Sequence, residues 1–212
     1  MKKMLCLILM AIAIDTLSSA EITSRVTKQY SLNCPEVFTY YDGDKVIAVK
    51  TMTESGEVKD LKGHIPNGLV RMYYPEGKLF IESYYKNDKP NGATKGYFST
   101  GKLEWTCTYV NGKLHGIGKE YYETGILRRR DNYVNGNLEG LTKIYNDNGT
   151  PRSAVNYVHG KMNGLIKTYH NNGKLRSEEY YVNDKLNGLS RSYDENGKLV
   201  KEEKYVNGEL IE

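Results

Sequence analysis

Six basic side chains recur at one fixed interval in this sequence and could together bind an anion. The interval is 24 residues, and the positions are Arg71, Lys95, Lys119, Lys143, Lys167 and Arg191. A tyrosine lies two residues after each of them, at Tyr73, Tyr97, Tyr121, Tyr145, Tyr169 and Tyr193. Ammonium and guanidinium groups bind carboxylates and phosphates, and tyrosine offers an apolar ring with a polar tip. These twelve residues form the candidate binding site.

Residues that commonly catalyse reactions or bind metals do not share this interval. The four histidines occupy different repeat positions and lack the HExxH spacing of a zinc site: His64, His115, His159 and His170. No GxSxG nucleophile motif is present, and the glycines do not form a GxGxxG that leads from a strand into a helix. We therefore expect no enzymatic activity and no cofactor or metal site.

Glycines at two equivalent positions of successive repeats show that the whole 24-residue unit repeats. We call each such set of equivalent residues a column. One runs from Gly68 to Gly188 and the other from Gly77 to Gly197 without any slippage. Within one unit, residues 165–169 and 175–182 are rich in strand formers and are bounded by Asn and Gly, which is typical of a β-hairpin. The sequence therefore predicts an all-β fold, an elongated single antiparallel sheet of stacked 24-residue hairpins.

The alternation of side chains along a strand predicts which columns share a face of this sheet. Leu69, Arg71 and Tyr73 are two residues apart and should share one face. If Tyr73 lies opposite Leu79, then Leu79, Ile81, Ser83 and Tyr85 should lie on this same face. This register places every nearly fixed column, except the glycines, on a single face.

The N-terminal third divides into two further segments. Lys2 and Lys3 precede an apolar run up to Ile14, and small residues come before Glu21, which is the pattern of a secretory signal peptide cleaved after Ala20. We assign residues 1–20 to this signal and 21–66 to degenerate hairpins that cap the array. Residues 67–212 hold six repeats. The predicted location is outside the cytoplasmic membrane, in the periplasm, at the cell surface or secreted.

Charge and cysteine content restrict the partners further. The predicted mature chain has 28 basic and 25 acidic residues, and a net charge of +3 is too small to attract nucleic acid by field alone. Cys34 and Cys107 remain after processing, and neither belongs to a CxxC pair, so a structural zinc site is not expected. A disulfide between them is permitted outside the cytoplasm but is not indicated.

The columns, written as G-x-x-x-x-Y-x-x-x-G-x-L followed by Y-x-N-G, resemble MORN repeats in their bacterial variant form. Proteins grouped as the YwqK-type antitoxin family share this pattern, and the resemblance covers residues 64–210. It implies an antiparallel sheet of stacked hairpins without enzymatic activity that serves as a platform for proteins or membranes.

These observations favour an exported, non-catalytic scaffold with a protein partner that the sequence does not identify. One alternative is an immunity or antitoxin-type inhibitor of a toxin. Another is binding to an anionic lipid surface through the basic column. The basic side chains also have a purely structural interpretation, in which their stems cover the neighbouring tyrosines while their charges stay in water.

Overall fold

A computed structural model describes residues 24–29, 37–42, 45–53, 58–74 and 76–211. The predicted signal peptide and Cys34 lie outside the described residues. The described residues form strands and turns and contain no helix. No helix in this part of the chain is therefore long and apolar enough to cross a membrane.

The chain divides into two compact units, residues 1–102 (unit 1) and 103–212 (unit 2). The strands of unit 1 are β1 (Ser24–Gln29), β2 (Val37–Asp42), β3 (Lys45–Met52), β4 (Val58–Gly63), β5 (Gly68–Tyr73), β6 (Leu79–Lys86) and β7 (Lys89–Tyr97). The first four strands pair in chain order as an antiparallel sheet, and β5, β6 and β7 pair in the same way.

Unit 2 is an antiparallel meander of ten strands and their short extensions. Its strands are β8 (Leu103–Val110), β9 (Lys113–Leu114), β10 (Gly116–Tyr121), β11 (Leu127–Val134), β12 (Asn137–Leu138), β13 (Gly140–Tyr145), β14 (Pro151–Val158), β15 (Lys161–Met162), β16 (Gly164–Tyr169), β17 (Leu175–Val182), β18 (Lys185–Tyr193), β19 (Leu199–Val206) and β20 (Glu209–Leu210). Neighbours in the sheet follow chain order, and β9, β12 and β15 pair back onto the preceding strand. The all-β fold of antiparallel hairpins is confirmed.

The connections between hairpins are tight turns that require left-handed backbone angles. At Asn111 and Gly112, φ is 50° and 81°, the combination of a two-residue type I′ turn. Asn135–Gly136 and Asn207–Gly208 repeat this geometry. Asparagine and glycine adopt positive φ at low cost, so these dipeptides fix where each pair of strands reverses.

A β-bulge in each hairpin corrects the predicted register. Tyr73 pairs with Leu79 as predicted, but Met72 pairs with Ile81, so β6 carries one extra residue, Phe80. Arg71 therefore faces Glu82, whereas Val70 faces Ser83. The same shift recurs in the hairpins of unit 2. Placing all fixed columns on one face was wrong, because a one-residue shift moves every following side chain to the other face.

The core of unit 1 joins the four-stranded sheet to the first repeat hairpin. Its buried side chains are Tyr40, Ala48, Ile65, Val70, Met72 and Tyr85. The rings of Tyr40 and Tyr85 meet edge to face with centroids 6.3 Å apart. Such aromatic pairs stabilise a core beyond the area that they bury.

Lys50 lies against this core with its ammonium enclosed by aromatic rings. Its Nζ lies 5.2 Å from the centroid of Phe38, 5.7 Å from that of Tyr40 and 5.8 Å from that of Tyr85. The ring faces favour a cation. Loss of hydration on burial disfavours the charged form and lowers the pKa of Lys50 to about 8.

This lysine should make folding stability depend on pH. Because the pKa of an unfolded lysine is about 10.4, the unfolded state binds more protons between pH 8 and 10, so stability rises with pH in that window. We expect the free energy of unfolding to increase by about 2 kcal/mol between pH 7.5 and 9.5. Lys50→Met should lack this increase. Urea titrations followed by circular dichroism measure both, and equal slopes for the two proteins would contradict the effect.

Candidate functional site

The basic column of unit 2 forms one row across the strands of a single sheet face. The row follows from the cross-strand pairs, in which each residue lies directly opposite the next. Its members in order are Thr106, Lys119, Arg130, Lys143, Ala154, Lys167, Glu178, Arg191 and Glu202. We call the face that carries this row the basic face.

Carboxylates neutralise the C-terminal end of this row. The Arg191 Nε donates to Glu202 Oε2 at 2.6 Å, and its Nη1 donates to Glu178 Oε1 at 3.4 Å. The hydrogen bond to Glu202, followed by that to Glu178, raises the pKa of Arg191. Arg191 thus belongs to an exposed ion-pair network and is not a free anion receptor.

The two predicted basic residues of unit 1 are also paired with a carboxylate. The Arg71 Nε donates to Glu82 Oε2 at 3.2 Å, and the Lys95 Nζ lies 3.6 Å from Glu82 Oε1. Glu82 lies directly opposite both residues in the strand ladder. One carboxylate therefore screens both cations in this unit.

Four cations in the middle of the row lack such partners. Within the described part of the chain, no side-chain hydrogen bond or ion pair involves Lys119, Arg130, Lys143 or Lys167. Lys119 and Lys143 are exposed, whereas Arg130 and Lys167 are half-buried. Lys119 and Lys143 both lie directly opposite Arg130. Like charges at such positions destabilise a sheet, so Lys119, Arg130 and Lys143 are not explained by stability, whereas Lys167 lies opposite Ala154 and Glu178.

The predicted tyrosines are half-buried in both units: Tyr73, Tyr97, Tyr121, Tyr145, Tyr169 and Tyr193. Tyr193 shares the basic face, since its hydroxyl donates to Glu178 Oε1 at 3.0 Å. Partial desolvation raises the pKa of Tyr193, and the hydrogen bond to Glu178 adds to this effect. Tyr193 thus combines a half-buried ring with a polar tip that is hydrogen-bonded on this face.

An exposed apolar band runs beside the basic row on the same face of unit 2. Its side chains are 36–44% exposed and comprise Ile117, Val134, Leu141, Val158, Leu165 and Leu189. The polar residues between them have local roles: Asn132 Nδ2 donates to the Glu139 carbonyl at 3.0 Å, and Asn156 Nδ2 donates to the Leu165 carbonyl at 2.9 Å. The basic face therefore combines cations with apolar surface that this unit does not cover.

The opposite face of unit 2 carries a buried polar cluster around Asp131. Its carboxylate accepts hydrogen bonds from Arg129 Nε at 2.7 Å, from Thr142 Oγ1 at 2.6 Å and from Tyr133 at 3.3 Å. Desolvation and the negative charge of Asp131 raise the pKa of Tyr133 to about 12. The Tyr133 ring covers Gly118, where an added Cβ would lie 3.0 Å from the ring. Both carboxylate oxygens of Asp131 have hydrogen-bond partners within the cluster, so we assign it to stability.

The repeat geometry agrees with a known family. The model for the MORN repeat variant matches residues 66–87, 114–135, 138–159, 162–183 and 186–207. Together these five stretches cover just over half of the chain. The chain belongs to the MORN repeat variant family. The comparison with curated proteins returned no match.

The five matched MORN repeats correspond to five of the six copies that the sequence predicts. The copy between residues 88 and 113 is not matched, and this stretch contains the boundary between the two units. The resemblance to the antitoxin family is not supported by these matches. The family assignment therefore concerns the repeat scaffold and its hairpins.

Sequence reasoning missed Arg130, which completes the basic row of the MORN repeats. Its column holds Glu82, Thr106, Arg130, Ala154, Glu178 and Glu202, so residue type alone gave no sign of a site. The position of Arg130 beside the basic column becomes visible only when the bulge is known, because the bulge places the Arg130 column directly opposite the basic column. The same column supplies the carboxylates that neutralise Arg71 and Arg191.

The thiol of Cys107 is half-buried, and its surroundings do not activate it. Burial raises its pKa to about 11, and a hydrogen bond with Tyr109 opposes this shift only partly. A thiol that stays protonated at neutral pH is a weak nucleophile.

Proposed function

We propose that this protein is an exported, non-catalytic MORN repeat scaffold that binds another protein through the basic face of unit 2. The observation that carries this proposal is the exposed apolar band from Ile117 to Leu189 beside the half-buried tyrosines. Exposed apolar side chains that line one face in this way are typical of interaction sites. Tyrosine and arginine on the same face add the residue types that most often contribute binding energy.

The proposed location rests on the N-terminal sequence. Lys2, Lys3, the apolar run and the small residues before Glu21 are the features that export signals share. A surface scaffold outside the cytoplasm must bind partners in the envelope or in the medium. The first measurement should therefore recover the protein and its partners from those fractions.

Cross-linking of the native protein in intact cells, followed by affinity purification and mass spectrometry, tests this function. We expect one or a few proteins at near-equal stoichiometry, and a recovered chain that begins at Glu21. The double variant Leu141→Asn and Leu165→Asn should reduce their recovery at least fivefold, because it removes exposed apolar contact area. Asn171→Asp, an exposed turn position, is the control.

Different outcomes of the capture separate the alternatives. A toxin-like protein at one-to-one stoichiometry would indicate an inhibitor, which is one form of protein binding. Recovery of lipid without protein would contradict the proposal, as would a cytosolic chain that retains Met1.

A further inference from the structure

We infer that the basic face of unit 2 binds an acidic amphipathic helix of the protein partner, with Lys119, Arg130, Lys143 and Lys167 contacting a row of its carboxylates. This inference rests on the proposed function and adds the chemistry of the partner segment. We call these four residues the central row. It begins beside Thr106 and ends before Glu178.

The length of the central row is that of a short helix. Lys119, Arg130 and Lys143 lie on consecutive ladder strands, and Lys167 follows after Ala154. Neighbouring strands are about 4.8 Å apart, so the row is about 19 Å long. An α-helix rises about 5.4 Å per turn, and side chains three or four residues apart lie on the same face. Carboxylates placed once per turn are therefore separated by nearly the same distance as neighbouring strands, and about four turns span the central row.

The apolar band fits the flank of such a helix. Ile117 precedes Lys119 by two residues on the same strand, and Leu141 and Leu165 have the same relation to Lys143 and Lys167. Alternate residues of a strand are about 7 Å apart on one face. Consider a helix that crosses the strands above the central row. Its acidic stripe would contact the cations, and the apolar side chains beside that stripe would contact the apolar band.

The charges at the end of the row favour a finite acidic segment over an extended polyanion or a membrane. Glu178 and Glu202 lie in the same row and share one guanidinium, that of Arg191, so this end keeps one negative charge in excess that would repel an anionic surface continuing past Lys167. A helix of limited length avoids them. The cost of placing Lys119 and Lys143 opposite Arg130 would be relieved when carboxylates bind between these cations.

The test uses a synthetic helical peptide of about 18 residues, with glutamates along one face and leucines beside them, labelled with a fluorophore. Fluorescence anisotropy measures its binding to the purified protein. A peptide with glutamines in place of the glutamates is the first control. We expect the acidic peptide to bind at least tenfold more tightly, and this difference to decrease as salt is raised.

The matched protein variants locate the binding site. The triple variant Lys119→Gln, Arg130→Gln and Lys143→Gln should weaken binding of the acidic peptide at least tenfold. The variant Lys174→Gln, Lys198→Gln and Lys201→Gln changes the net charge equally at exposed positions, two beside hairpin turns and one on the opposite face, and should bind like wild type. Because the first triple variant removes opposed like charges, its melting temperature should equal or exceed that of wild type.

Several outcomes would overturn the inference. The first is that the acidic peptide does not bind, and the second is that both triple variants lose peptide affinity equally. The third is that phosphatidylglycerol vesicles bind through the central row while the peptide does not. The capture experiment keeps the two proposals separate: if the central-row variant captures the same proteins as wild type, the scaffold function stands and the acidic-helix site is wrong. If neither captures a protein, the scaffold function itself fails.

Discussion

Gly63→Ala should destabilise unit 1 by about 3 kcal/mol or more, because alanine meets two obstacles at this position. The φ angle of Gly63 is +82°, and an added Cβ would lie 2.1 Å from the Ile47 carbonyl oxygen. That carbonyl accepts a hydrogen bond from the His64 backbone N–H at 3.2 Å. Backbone atoms cannot rotate away as a side chain can, so strands β3 and β4 would have to separate locally.

Gly101→Ala isolates the contribution of the clash. Gly101 has a similar φ of +86° in the same unit, but an added Cβ would meet no atom within 4 Å. This control should cost only about 1 kcal/mol, from the backbone angle alone. Hydrogen exchange measured by mass spectrometry on peptides from 45–63 gives the local stability. Equal loss of protection in the two variants would show that the close approach at Ile47 does not constrain the chain.

Asp131→Ala should destabilise unit 2 by about 3 kcal/mol, since it removes the buried carboxylate of an ion pair together with the acceptor of a buried hydroxyl. The Asp131 side chain is 5% exposed and that of Arg129 is 31% exposed. Without the carboxylate, Arg129 loses its ion pair and the buried Thr142 hydroxyl loses its acceptor. Thr142→Val, which keeps the shape and removes one donor, should cost about 1–2 kcal/mol.

Asp147→Ala is the matched control for this cluster. Asp147 is exposed in a hairpin turn, so its removal should change stability by less than about 0.5 kcal/mol. Denaturation in urea followed by the fluorescence of Trp105, the single tryptophan, reports on unit 2. A cost for Asp131→Ala as small as that for Asp147→Ala would contradict a role of the buried pair in stability.

The sequence alone was sufficient for the local structure of this protein. The 24-residue interval, the strand formers and the turn dipeptides such as Asn111–Gly112 predicted antiparallel hairpins, and the structure confirms them. Turn chemistry is readable because positive φ restricts the choice of residue at a few positions. The basic and tyrosine columns were also found in this way, because a repeat reveals what stays constant between copies.

Only the tertiary structure decided which columns meet and which charges are free. Because of the bulge at Met72 and Tyr73, Ser83 and its counterparts in the other repeats lie on the other face of the sheet from Arg71. No residue type indicates this shift. Arg130, which differs from every other member of its column, joins the candidate site only through this register. Likewise, the pairing of Arg191 with Glu202 and the burial of Asp131 depend on distances across strands. A periodic sequence specifies each hairpin, whereas the alignment of one strand against the next depends on hydrogen bonds and packing that a single column cannot show.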